Sequence, residues 1–234
     1  MEISFTKLRL FRECPWKYKL RMVDGRRVAL TPAASLGLSL HRALECFHRK
    51  EAPAAEYLWE CFEGRWLASG YPDEKTRQSW RAKGRRILER YLEDDRERRS
   101  VVAAVEREFL YPLGRHEVRG TIDRIDRHPD GRIEVIDYKT FGAGEKLDDN
   151  DELQLRFYGL GAFESLALAP SILTLYFVAS GRKVSLAHDA GAQESLKSII
   201  LESAQRIEAG AFPPDASHCP ACDFRTTCAH SSAP

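Results

Sequence analysis

The sequence predicts an α/β fold with a central mixed sheet and helices on both of its faces, and three observations carry that expectation. Val118 to Thr140 reads as a β-hairpin, because two Ile- and Val-rich runs flank the turn formers His128-Pro129-Asp130-Gly131. Two more strand-like runs, Ser171 to Ala179 and Lys183 to His188, follow a helical pattern from Asp148 to about Leu166. Helical periodicity also precedes the hairpin and returns from Gln193 to Ala209, so the order is helices, strand, hairpin, helix, strands, helix.

The chain has 234 residues, enough for one well-packed domain with an added lobe, and 43% hydrophobic with 30% charged residues is the composition of a globular protein. A single domain over 1–234 is expected, comprising an N-terminal segment (1–34), a helical lobe (35–100), a core (101–210) and a cysteine-containing tail (211–234). No apolar run approaches a membrane span, and MEISFTKLRL lacks the apolar core of a signal peptide, so a cytoplasmic protein without a membrane partner is expected. A net charge of +1 conceals two basic runs. Phe5 to Arg27 holds eight Lys and Arg against two acids, and Lys75 to Arg90 holds seven against one; either is a solvated face or a surface for a polyanion.

The first helix opens at a cap, Ser4, and runs toward Cys14-Pro15-Trp16-Lys17-Tyr18. Ser35 to Arg49 reads as an amphipathic helix with Leu36, Leu40, Leu44 and Phe47 on its apolar stripe and His41, Glu45 and His48 on a neighbouring face. Pro53 to Ser69 and Glu74 to Arg99 read as two further helices, and Val101 to Leu110 as a strand ending at Tyr111-Pro112.

The hairpin carries the chemistry. If Pro129, Asp130 and Gly131 form a three-residue loop, His128 pairs with Arg132, and counting back sets Asp123 opposite Asp137. Like charges held opposite on one face repel, unless a divalent cation lies between them. Lys139 shares the face of Asp137 through the period-2 pleat. Two acids, a metal gap and an ammonium suit phosphodiester hydrolysis. The alternative is an ordinary exposed hairpin with Asp123 or Asp137 paired to Arg124 or Lys139.

Gly120-x-x-Asp123-Arg124-Ile125-Asp126 followed by Ile136-Asp137-Tyr138-Lys139-Thr140 resembles the active-site core of the PD-(D/E)XK nuclease superfamily, in its RecB-like branch. Gly37-x-x-x-His41 and Gln154-x-x-x-Tyr158 resemble two further motifs of that branch, and Asp137 stands where Glu is more widespread. The resemblance implies a restriction-endonuclease-like core, with Asp123, Asp137 and Lys139 as catalytic residues and Gln154 and Tyr158 beside them. It further implies Mg2+ or Mn2+ held by His41, Asp123, Asp137 and the carbonyl of Tyr138. DNA is the implied substrate, with Lys75, Arg77, Arg81 and Lys83 as candidate backbone contacts. No G-x-x-x-x-G-K-[ST] is present, so a helicase, or a repair or CRISPR partner, would be a separate chain.

The tail carries Cys219-x2-Cys222-x5-Cys228, three thiols in ten residues, which is a metal signal where disulfides do not persist. The resemblance supplies the fourth ligand, Cys14, and implies a structural 4Fe-4S cluster clasping the two ends of the chain. Zinc is the alternative, with His218 or His230 as a further donor, although zinc ribbons usually bring two C-x-x-C pairs and this tail has one. Cys46 and Cys61 fall in helical patterns and are expected as core residues. A nucleic-acid-binding accessory module with a structural iron–sulfur or zinc site and an idle nuclease site is the competing functional reading.

Overall fold

The computed structural model describes residues 1–142 and 146–232, so 143–145, part of the expected flexible connection after Thr140, lie outside the described residues. The chain forms two compact units, one of residues 1–29, 110–120 and 189–234, the other of residues 30–109 and 121–188. Residues 1–29 of the N-terminal segment and the cysteine tail therefore fall in the first unit, while residues 30–34 and the helical lobe join most of the expected core in the second.

The second unit is built on a mixed sheet flanked by helices. Strand β3 (His116–Arg127) passes antiparallel into β4 (Ile133–Lys139), β4 runs parallel to β5 (Pro170–Phe177), and β5 turns antiparallel to β6 (Arg182–Ala187). β2 (Val101–Leu113) pairs with β3 alone, which is why its Pro112 costs no ladder bond on a second side. The sequence reading ended this strand before Pro112.

The hairpin folds as its turn chemistry requires. The His128 N–H donates to Arg132 O at 2.9 Å, the Gly131 N–H donates to His128 O at 2.9 Å, and Gly131 takes φ +86, a value that a side chain would strain. From there the ladder runs Arg127 with Ile133 to Arg124 with Ile136. One step further would bring Asp123 opposite Asp137, and there the ladder stops.

Helix α3 (Pro32–His48), α4 (Ala55–Arg65) and α5 (Glu74–Arg96) cover one sheet face. Thr31 caps α3 by accepting the Ala34 N–H, and Pro32 at the first turn forfeits no helical bond. The apolar stripe of α3 is wholly buried: Leu36, Leu40, Ala43, Leu44 and Phe47 pack with Leu58, Phe62, Leu88 and Tyr91 against Ile136, Tyr138 and Tyr176 of the sheet. Each such Leu or Phe contributes about 1.5–3 kcal/mol. A Cβ at Gly37 would lie 3.2 Å from Thr140 Oγ1, so α3 approaches the end of β4 closely. Cys61 is buried in this core as expected, Cys46 packs against it half-buried, and the two are bonded to each other, joining α3 to α4.

Helix α6 (Asp149–Leu166) covers the other face, with Gly159 against Leu173 and Gly161 against Phe109. Its cap is Asp148, which accepts the Asp151 N–H, and acids at Asp149, Asp151 and Glu152 suit the positive end of the helix dipole.

In the first unit, β1 (Glu2–Ile3) pairs parallel with the start of β3, an element too short to show in the sequence pattern. α1 (Phe5–Glu13), α2 (Pro15–Tyr18) and α7 (Ala190–Glu208) share a small core in which Leu10, Phe11 and Tyr18 meet Ile207 and Phe212. Among the described residues no helix is long and apolar enough to cross a membrane.

Candidate active site

The strands part where the two acids come opposite, and the side chain of Asp123 takes over from the backbone. Its Oδ2 accepts the Tyr138 N–H at 2.8 Å and lies 3.4 Å from Nδ1 of His41, which the buried stripe of α3 points at the strand end. Asp137 faces α6: Gln154 Nε2 donates to its Oδ1 at 3.0 Å, and Lys139 Nζ stands 2.9 Å from its Oδ2. That Oδ2 is buried and accepts no hydrogen bond of acceptable angle, so the contact with Lys139 is an ion pair only. Lys139 also donates to Gln154 Oε1 at 2.5 Å, and Gln154 donates to the Tyr158 hydroxyl at 3.2 Å. Gln154 thus bridges acid, lysine and tyrosine, and the four residues that the sequence placed on β4 and α6 do come together.

A residue the sequence reading passed over completes the arrangement. Glu106 of β2, His41 and Asp123 each offer one ligand atom, and the three atoms lie within 4.8 Å of one another; among the described residues no other His, Cys, Asp or Glu trio does so. Glu106 adopts φ +44, a left-handed conformation that costs a non-glycine residue on the order of 1–3 kcal/mol. An acid in a Val-rich run was the only signal for it.

The electrostatics express the crowding of like charges. Burial, then Asp123, push the Asp137 carboxyl up to about 6 despite the opposing pull of Lys139. Burial, then Asp123 and Glu45, push Glu106 up to about 7. Burial lowers the affinity of His41 for its proton, but Asp123, Asp137 and Glu106 together outweigh it and bring the imidazole to about 9. Burial and the neighbouring acids raise the Tyr158 phenol as well. An excess of buried negative charge with an unsatisfied oxygen is a cation site by chemistry.

A family model of the PD-(D/E)XK nuclease superfamily matches residues 2–229. The chain belongs to that superfamily. A search of curated proteins returns no match. Among solved structures the chain is similar to one from Eubacterium rectale described as a "Putative exonuclease", at 11% identity over 100% of this chain and 90% of that one with a TM-score of 0.60, a likeness of fold. SSO0001 aligns at 15% identity over 99% of this chain and 87% of that one, with a TM-score of 0.47.

PD-(D/E)XK nucleases use divalent metal ions, and the donors present fit one: an imidazole and carboxylates from three elements, with a buried carboxylate oxygen lacking a hydrogen bond. The tightest trio joins His41 and Asp123 with Glu106, whereas Asp137 is held by Lys139 and Gln154. The Tyr138 side chain points to the opposite face, where its hydroxyl meets Tyr91.

Of the four cations expected to meet DNA, Arg77 is paired with Glu74 and Arg81 with Glu63. Lys83 lies over the rings of Trp80 and Phe141. The Glu74–Arg77 pair at i, i+3 was readable from spacing, while the partner on α4 was not.

In the first unit, Cys14, Cys219, Cys222 and Cys228 are free thiols lining one pocket with Trp16, His218 and His230. Cys14 therefore does join the tail. Three sulfurs accept backbone N–H groups: Cys14 from Asp215 at 3.3 Å, Cys222 from Phe224 at 3.5 Å and Cys228 from His230 at 3.4 Å. Such donors stabilise thiolates and tune sulfur ligands.

Proposed function

We propose that this chain is a metal-dependent deoxyribonuclease, an exonuclease acting on DNA with single-stranded regions in a DNA-processing or repair setting in the cytoplasm. The observation that carries the reading is the side-by-side placement of Asp123, Asp137 and Lys139 at the point where β3 and β4 part, with His41 and Glu106 beside them. His41, Glu106, Asp123, Asp137 and the Tyr138 carbonyl would hold Mg2+ or Mn2+, which when bound supplies charge to polarise the phosphate and to acidify the attacking water.

The chain's own residues supply position and charge. Gln154 holds Asp137 and Lys139 in register, and Tyr158 anchors Gln154 in turn. The Lys139 ammonium, 27% exposed, is free enough to meet a phosphate and stabilise charge that develops on it. The four thiols line one pocket and would hold a structural 4Fe-4S cluster, as the resemblance implies, with zinc as the alternative and no part in hydrolysis. A helicase or CRISPR-type partner is consistent with the absence of an ATPase motif.

The deciding experiment is cleavage of end-labelled single- and double-stranded DNA by anaerobically purified protein with Mn2+, Mg2+ or EDTA, alongside iron and zinc analysis. Metal-dependent shortening of labelled strands is expected, with iron as the bound metal of the thiols. No cleavage of any substrate would return the molecule to the binding-module reading, and stoichiometric zinc without iron would replace the cluster. Neutralising Lys75, Arg77, Arg81 and Lys83 together should flatten the salt dependence of DNA binding by fewer than four contacts, since Arg77 and Arg81 already have acidic partners.

A further inference from the structure

Trp80 of α5 and Phe141, just beyond β4, form with the candidate DNA contact Lys83 a cluster whose two rings the proposed chemistry leaves unused. The Phe141 ring is 37% exposed and meets Trp80 edge to face, with centroids 6.0 Å apart. Lys83 Nζ lies 4.3 Å from the Phe141 ring centroid and 4.8 Å from that of Trp80. A surface cation–π contact is worth only about 0.5–1 kcal/mol, and it leaves more than a third of Phe141 open to solvent. Phe141 follows Lys139 by two residues, so their Cα atoms are within about 7 Å of each other. A nucleotide whose phosphate meets Lys139 is therefore close enough to lay its base on that ring.

We propose that Phe141, backed by Trp80, is a stacking platform for one unpaired nucleobase beside the scissile phosphate, with Lys83 holding the adjoining backbone. Aromatic rings with an interleaved cation are the combination by which proteins hold single-stranded nucleic acid, because every base offers a π-face and every link a phosphate. A base inside a duplex has both faces occupied by its neighbours, so the platform selects single-stranded DNA. The proposal rests on the nuclease reading for its substrate, but it concerns binding and is tested without turnover.

The test uses the full chain in EDTA with short, dye-labelled single-stranded oligonucleotides in which one abasic site is moved along the strand. Stacking on alanine substitution is worth about 1–3 kcal/mol per base, roughly five- to 150-fold in affinity. Wild type should lose on the order of tenfold at one or two adjacent abasic positions. Phe141→Ala should bind the intact strand more weakly by a similar factor and no longer distinguish those positions, while Phe141→Trp should restore the distinction. Phe141→Leu keeps an apolar side chain but no π-face and should behave like Phe141→Ala, which separates stacking from packing. An abasic profile unchanged in Phe141→Ala overturns the platform even if metal-dependent cleavage is normal. Loss of cleavage in wild type with the abasic profile intact would instead overturn the nuclease reading and leave the platform standing.

Discussion

Two buried clusters of charge lie on neighbouring residues of β3, and they are finished to different degrees. Around Arg124 every group has partners: its Nε and Nη2 reach the two oxygens of Asp126 at 2.6 Å each, Nη1 donates to the Tyr91 and Tyr138 hydroxyls at 2.9 and 3.2 Å, and Ser100 donates to Asp126 at 2.5 Å. Burial pushes the Asp126 carboxyl up, but the guanidinium more than reverses that and holds it low. Around Asp123, one residue earlier, the acids outnumber their cations, Asp137 and Glu106 are pushed up, and one carboxylate oxygen is left without a hydrogen bond. A completed buried network is structure; an incomplete one is a place for something to bind.

Breaking the completed cluster should have the largest effect. Arg124→Ala leaves the Asp126 carboxylate, 1% exposed, with the Ser100 hydroxyl but without its guanidinium, and the expected loss is about 3–5 kcal/mol in urea denaturation, enough to unfold a large fraction of a marginal domain. A loss below about 1 kcal/mol would mean the two clusters do not differ in kind.

Removing charge from the incomplete cluster should act on turnover instead. Asp137→Asn is expected to lower metal-dependent cleavage on the order of a hundredfold or more while matching or exceeding wild-type thermal stability in EDTA at pH 7.5. The sign follows from the raised carboxyl: between the ordinary value of 3.8 and about 6 the folded state binds more protons than the unfolded state, so ionised Asp137 destabilises the metal-free fold above that window. A large drop in stability would contradict this.

Metal affinity sharpens the contrast next. Protons held to about 6 on Asp137, about 7 on Glu106 and about 9 on His41 compete with a cation, so Mn2+ affinity should rise between pH 6 and 9, by up to about tenfold per pH unit where one proton is displaced. Glu106→Gln should weaken binding and flatten the rise near pH 7, and a pH-independent titration in wild type would remove the trio as ligands.

The effect that is smallest at neutral pH belongs to His48, whose ring sits 2.5 Å from the Tyr91 hydroxyl and is held down to about 3 by burial and by Arg124. The unfolded chain binds this proton below its ordinary 6.5 and the folded chain does not, so stability falls as pH drops from 6.5 toward 3. His48→Gln should shrink that slope by up to one proton's worth, about 1.4 kcal/mol per pH unit. An identical slope would place the acid sensitivity elsewhere.

The hairpin was legible because its turn is local: Pro129, Asp130 and Gly131 set the loop, the loop set the register, and the register ran to Arg124 with Ile136, one step short of Asp123 and Asp137, where the strands part. Gln154 and Tyr158 were legible because one helical turn separates them, which puts both on the same face. Glu106 was not, because strand alternation assigns a side to each residue and a left-handed φ departs from the strand geometry that alternation assumes. The Cys46–Cys61 bond and the Arg81–Glu63 pair join separate helices whose approach no spacing encodes.

Gly37 shows how a residue without a side chain can act on chemistry. The helix that carries His41 rests with that glycine against Thr140, where an added Cβ would come within 3.2 Å of Oγ1. Position 37 thus works as a spacer of fixed thickness between a helix and the end of the strand bearing Asp137 and Lys139. An alanine there would have to move the Thr140 hydroxyl by a few tenths of an ångström, and whether that side chain yields decides between a gain in helix stability and a shift of the imidazole one turn later.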